Sequence, residues 1–128
     1  MSVPFNSQQG LVIFPVDIHG PNGTGVVRLA LDTGATETTI SRRALIAIGI
    51  DPAQANLGSV PVITGNGRIS VPLVRLMKLN ALGQQRDDFI VQAHTLPAGL
   101  PIDGVLGLDF IRLYRLVVDF KTGFLVLE

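Results

Sequence analysis

Cysteine is absent from the chain, which excludes a thiol nucleophile, a disulfide framework and a thiolate metal site. A surplus of charge is missing too: lysine plus arginine and aspartate plus glutamate stand at ten each, with no basic cluster. Neutralising a phosphate backbone therefore has little to act through, and no nucleic-acid partner is expected. No apolar run approaches the roughly 18 residues of a membrane span, and Met1 to Gln9 is polar without a basic start, so neither a span nor a signal peptide is read. A soluble chain is the default expectation; the compartment stays open, with the cytoplasm as default and a tethered or periplasmic setting as alternatives. His19 and His94 stand far apart and lack ligand spacing. Gly-x-Ser-x-Gly, His-Glu-x-x-His and phosphate-binding glycine loops are also missing, and no metal or cofactor is expected.

What is present is apolar. Hydrophobic residues make up 47% of the 128 positions against 16% charged, which suits one globular domain with a substantial core and is too short for two lobes of ordinary size. Leu11 to Ile18 alternates imperfectly around Pro15, the mark of an edge strand or one with a break. His19 to Gly23 has turn chemistry, and Thr24 to Leu31 returns as the partner strand. Ser41 suits the N-cap of a short helix over Arg42 to Ile48, ended by Gly49. Residues 52–58 read as irregular. Val60 to Ile63 and Arg68 to Val74 flank Gly65-Asn66-Gly67, the strongest short-range hairpin signal in the chain. Arg75 to Leu79 and Asp88 to Ala93, joined by a turn at Asn80 to Gly83, give two more strands, and Leu96 to Pro101 is a loop by its prolines and glycine. A short buried strand at Val105 to Gly107, a helix at Leu108 to Leu113, and a closing hairpin of Leu116 to Phe120 with Phe124 to Leu127 complete the chain. Asn22-Gly23-Thr24 fits a glycosylation acceptor, a pattern of little weight in a chain with no secretory mark. Strands at short spacing with one or two brief helices mean a mostly-β sandwich or barrel.

One stretch organises the rest, Leu29-Ala30-Leu31-Asp32-Thr33-Gly34-Ala35-Thr36-Glu37-Thr38-Thr39-Ile40. The apolar run before Asp32 reads as a buried strand, so the carboxylate stops at the edge of a core. Gly34 frees the backbone just after it, and Asp32-Thr33-Gly34 becomes a tight turn. Taken alone, Asp-x-Gly is an ordinary turn. The context is what changes its meaning.

The stretch resembles the active-site segment of retropepsin-like aspartic proteases, in which apolar residues precede Asp-Thr-Gly-Ala and β-branched residues follow. Ile102-Asp103-Gly104-Val105-Leu106-Gly107-Leu108-Asp109-Phe110-Ile111 is similar to the family's apolar-apolar-Gly element and its helix, and Val62-Ile63-Thr64-Gly65-Asn66-Gly67-Arg68-Ile69 to its flap hairpin. Three motifs in order cover roughly residues 11–128. The resemblance implies a closed retropepsin-like barrel over residues 1–128, with 1–9 as an N-terminal arm and about 60–74 as a flap. It also implies an aspartic endopeptidase of bacterial single-domain type acting on extended polypeptides.

Hydrolysing a peptide bond without metal, Ser or Cys needs a base to activate water and an acid for the departing group, and two carboxylates sharing a proton can serve as both. One Asp-Thr-Gly per chain supplies one carboxylate, so the other would be Asp32 of a second copy across a two-fold axis, a homodimer. At about 4 Å, two carboxylates repel by about 4 kcal/mol at an effective dielectric of 20, enough to make them a coupled pair holding one proton. By the resemblance, Asp32, Thr33 and Gly34 are catalytic: Thr33 bonds across the axis, and Gly34 admits the substrate backbone. Ala35, Thr36, Thr64, Gly65, Asn66, Gly67, Val105 and Leu106 are the expected substrate-binding residues. Ala35 stands where pepsins usually carry Ser, and Thr36 and Glu37 stand where retroviral enzymes carry two acidic residues. Asp109 reads as a helix-start residue, Asp119 as a strand-end or turn residue, and Asp103 as structural. The alternative function is a non-proteolytic member of the same fold, a dimerisation or peptide-binding module.

Overall fold

Alternation from Ile13 onward builds the first hairpin. In the computed structural model, which describes residues 1–97 and 99–128, Phe14, Val16 and Ile18 of β2 (Ile13–Gly20) are buried while Pro15 between them is exposed. An N-terminal strand, β1 (Ser2–Pro4), precedes it, and β3 (Gly23–Leu31) returns antiparallel with Ile13 opposite Ala30. The proline does not make β2 an edge strand, because β3 lies on one side and the long strand β6 (Gly67–Ala81) on the other. The β6 ladder begins only at Val16, one residue past Pro15, so the missing N–H interrupts no pairing on that side.

Four further strands complete the main sheet: β4 (Thr39–Ile40), β5 (Ser59–Thr64), β7 (Gln84–Ala93) and β8 (Gly104–Leu106). Its order is β2-β3-β8-β4-β7-β6-β5, and the extra β2–β6 pairing closes all but β5 into a six-stranded barrel. The core runs through the barrel, with Phe14, Ile18, Leu29, Ile40, Leu76, Leu79, Leu106 and Phe110 fully buried. Each such side chain contributes about 1.5–3 kcal/mol by leaving water. The stretches expected as separate strands at 68–74 and 75–79 are one continuous strand, β6, that pairs with β5 in its first half and with β7 and β2 in its second. A sequence pattern of strand length cannot show that a strand changes partners. At the β6–β7 turn, Leu82 (φ 54°) and Gly83 (φ 81°) both take positive φ, the two-residue geometry whose twist matches a hairpin.

Two short helices sit at the barrel's ends. α1 (Arg42–Ala47) starts where Ser41 accepts the Ala44 N–H at 3.2 Å and stops where Gly49 turns to φ 91°. α2 (Leu108–Ile111) is shorter than the expected run to Leu113. A second, three-stranded sheet gathers the termini in the order β1-β10-β9, from β9 (Leu116–Asp119) and β10 (Phe124–Leu127). The expected N-terminal arm thus supplies a strand to its own chain's C-terminal hairpin, with Ser2 opposite Val126 and buried Phe5 donating its N–H to Gly123. Of the loop expected over Leu96 to Pro101, Ala98 lies outside the described residues. No helix among the described residues is long and apolar enough to cross a membrane.

Candidate active site

Strand β3 delivers Asp32 to the barrel rim. It runs parallel to β8, with Ala30 opposite Val105 and Leu31 opposite Leu106, and the Asp32 N–H donates to the Leu106 carbonyl at 3.0 Å. The side chain is then fixed by its own turn: the Gly34 N–H donates to Asp32 Oδ1 at 2.9 Å, and the Ala35 N–H to the Asp32 carbonyl at 3.2 Å. Gly34 is not needed for a left-handed backbone, since its φ is not positive. Its value is closeness, because a Cβ there would sit 3.2 Å from Asp32 Oδ1. Asp32 is half-buried, while Thr33 and Gly34 are exposed.

The residues after the turn are strapped to the start of α2. Thr38 is fully buried; its N–H and hydroxyl donate to the two carboxylate oxygens of Asp109 at 2.9 and 2.7 Å, and its Oγ1 accepts the Gly107 N–H at 3.1 Å. Two backbone bonds add to these, from Leu108 N–H to the Ala35 carbonyl and from Asp109 N–H to the Thr36 carbonyl. Glycine is required at the two places where β8 and α2 touch this segment. A Cβ on Gly107 would lie 2.7 Å from the Glu37 carbonyl carbon, and one on Gly104 would overlap the Thr39 carbonyl oxygen. Asp109 is therefore both an acidic residue in the first turn of α2 and the anchor of the Asp32 loop. Glu37, next to it, has its carboxyl pushed above the ordinary range by burial first and the Asp109 charge second, with Arg112 opposing.

Asp32 opens onto a cleft of about 860 Å³. It is lined by Gly34, Ala35, Thr36, Glu37 and Thr39 from the Asp32 segment, by Val60 to Ile63 of β5, and by Leu73 of β6 with Ile90 and Gln92 of β7. Of the sequence-proposed residues, Asp32, Gly34, Ala35 and Thr36 meet there, whereas Thr33, Thr64, Gly65, Asn66, Gly67, Val105 and Leu106 do not line it. Thr64 and Gly67 close the hairpin tip on itself, since Thr64 Oγ1 donates to the Gly67 carbonyl and accepts the Asn66 N–H. Val105 and Leu106 lie beneath the loop as its supporting strand. Reading the tip as the binding element overlooked the hairpin's stem.

Other acidic residues have structural partners. Asp103 accepts the Arg28 N–H at 2.9 Å, and Asp119 accepts those of Lys121 and Thr122 in the β9–β10 turn, with hydrogen bonding to Thr122 chiefly holding its carboxyl below the ordinary range. Arg86 lies over Phe110, Tyr114 and Phe89, 4.8, 5.6 and 5.8 Å from the ring centroids, and its Nη2 donates to the Phe110 carbonyl at 2.7 Å. It pins α2 from outside the barrel.

Comparison with known proteins places this geometry. The chain is similar to a retropepsin-like aspartic protease from Rickettsia conorii, at 17% identity and a TM-score of 0.70 over 99% of this chain and 88% of that one. It is similar to the retroviral protease-like domain of Ddi1 from Leishmania major, at 20% identity and a TM-score of 0.61 over 94% and 90% of the two chains. An inhibitor-bound EIAV protease matches at 15% identity and a TM-score of 0.59 over 84% and 90%. No curated protein sequence matches the chain. The family described as aspartyl protease matches residues 14–110, from β2 through Phe110 of α2. With that match covering most of the chain, and with a retropepsin-like barrel around Asp32, this protein belongs to the aspartyl protease family.

Proposed function

We propose that the protein is an aspartic endopeptidase that hydrolyses peptide bonds in extended polypeptides as a homodimer, with Asp32 of each copy facing the other across a two-fold axis. The observation that carries this reading is a half-buried carboxylate, braced by Gly34 and by the strap to α2, lining a cleft of about 860 Å³ together with residues of β5, β6 and β7. One carboxylate cannot act as base and acid in the same step, and the chain brings one Asp-Thr-Gly. With one proton between the pair, the ionised Asp32 takes a proton from water as its oxygen attacks the scissile carbonyl carbon. The protonated one, the partner's Asp32, donates to the carbonyl oxygen. As the tetrahedral diol collapses, Asp32 gives the proton it took from water to the nitrogen, the C–N bond breaks, and one hydroxyl proton returns to the partner's Asp32, which restores the single shared proton. Thr33, exposed beside Asp32, would bond across that axis.

The β5–β6 hairpin serves as the flap: its stem walls the cleft and its tip extends free of the barrel. An extended peptide between Val60–Ile63 and Ala35–Thr36 would gain affinity from main-chain pairing and selectivity from alternate side-chain pockets. The aliphatic walls, Val60, Val62, Leu73 and Ile90, favour apolar side chains next to the scissile bond.

The test compares wild type and Asp32→Asn on a peptide library between about pH 3 and pH 8, since the pair must hold a single proton. Cleavage that falls on both sides of a maximum and vanishes in the variant is expected. Equal cleavage by both proteins overturns the assignment.

A further inference from the structure

We infer, as an extension that rests on the homodimer reading, that two copies join edge to edge through β9, in a register that sets Val117 on the two-fold axis opposite the partner's Val117. The terminal sheet has two edges. β1 forms one of them, a three-residue strand ending on Pro4, and β9 forms the other, where among the described residues no strand pairs with the outer side. Nothing blunts that edge over Leu116-Val117-Val118, which carries no proline or charge. Exposed Leu113 and Phe120, 75% and 60% accessible, bracket it.

The backbone fixes which register is allowed. Arg115 and Glu128 exchange both N–H···O=C bonds, at 2.7 and 3.0 Å, and the ladder continues with Val117 opposite Val126 and Asp119 opposite Phe124. In an antiparallel pair the residues that bond inward alternate with those that bond outward. Arg115, Val117 and Asp119 therefore bond to β10, and Leu116 and Val118 point their N–H and C=O groups outward. A second β9 can bond to this edge only by matching an outward residue to an outward residue. Leu116 against the partner's Val118, and the reverse, uses all four. Val117 then meets the partner's Val117 as a non-bonded pair with side chains close together.

Charge selects the same register. Arg115 falls opposite the partner's Asp119, twice over by symmetry, on the outer face of the sheet, where Arg115 also pairs with Glu128 of its own chain. Shifting by two residues, to Val118 on Val118 or Leu116 on Leu116, places Asp119 or Arg115 against a valine instead. The occupant chosen is thus a second copy, and the product is a continuous sheet of six strands, β1-β10-β9 from each chain. Each N-terminal strand stays with its own chain, so the copies associate without exchanging arms.

The chain's lack of cysteine gives a direct test. Val117→Cys and, as control, Val126→Cys, on the same outer face but one strand in from the edge, are each oxidised in a dilute glutathione buffer and resolved without reductant. Rapid conversion of Val117→Cys to a disulfide-linked dimer, with Val126→Cys remaining monomeric on the gel, is expected. Val117→Lys and Val117→Glu should each sediment as monomers and form a dimer when mixed, because like charges meet on the axis in either homodimer and opposite charges in the mixture. A wild-type dimer in which Val117→Cys cross-links no faster than Val126→Cys overturns the edge and register while leaving the homodimer standing. A wild-type chain that sediments as a monomer overturns both.

Discussion

The Asp32 loop and the β5–β6 hairpin face each other across one cleft and are built on opposite terms. The loop is held by buried Thr38, by both oxygens of Asp109 and by backbone bonds to α2, and it has no room for a Cβ on Gly104 or Gly107. The hairpin is a two-stranded ribbon with Ile63 86% exposed and open space around Gly65 and Gly67. Few buried contacts and solvent-facing hydrogen bonds mark the part of a fold that opens at least cost. Under the proposed function the chemistry belongs to the fixed side, where a carboxylate must be held to a fraction of an ångström, and recognition to the hairpin side.

Substitutions can break this contrast in graded steps. Gly104→Ala should be the most damaging, costing about 3 kcal/mol or more, because the new methyl meets the Thr39 backbone and not a side chain that can yield; the melting temperature reads it. Thr38→Val keeps the shape and the backbone bond to Asp109 Oδ2, but it strands the buried Gly107 N–H and takes the hydroxyl from Asp109 Oδ1, which is left with the Phe110 N–H. A loss of about 2 kcal/mol is expected, with catalysis falling by more than the unfolded fraction explains. On the hairpin, Gly67→Ala must place a side chain at φ 104°, and about 1 kcal/mol is the expected loss in urea unfolding. Ile63→Ala should leave stability within about 0.5 kcal/mol of wild type, while KM for an apolar extended peptide rises.

The smallest effect concerns Glu37. Its carboxyl is raised in the folded chain, so the native state favours the protonated form and loses stability as pH climbs above the ordinary Glu range. Glu37→Gln should therefore raise the melting point near pH 7 and leave it unchanged near pH 3, where both states are protonated. The gain should not exceed about 0.5 kcal/mol, since the group is largely solvated. A larger gain would mean that the Asp32 loop is under more strain than its bonds to Asp109 suggest.

How far the sequence could be read varied with the range of the forces involved. The Ser41 cap, the Gly49 stop and the hairpin around Gly65-Asn66-Gly67 depend on neighbours in the chain, and those elements formed where local chemistry put them. Asp109 was legible as a helix-start acid, but its grip on Thr38 spans 71 positions and left no local trace. Pro15 marked a break that the barrel absorbs, because pairing to β6 begins one residue later.

By itself, the sequence determined a mostly-β chain with Asp32 at the end of a strand, though not that this strand is exposed at Val26 and Arg28 and buried at Val27, Leu29 and Ala30, because strand composition, turn residues and motif order are properties of short windows. Only the tertiary structure decided that β6 pairs first with β5 and then with β7 and β2, that the stem and not the tip of its hairpin lines the cleft, and that the N-terminal strand pairs with β10 of its own chain. Those outcomes follow from barrel closure and from which strand edge is left to pair, and neither is encoded within any one stretch of residues.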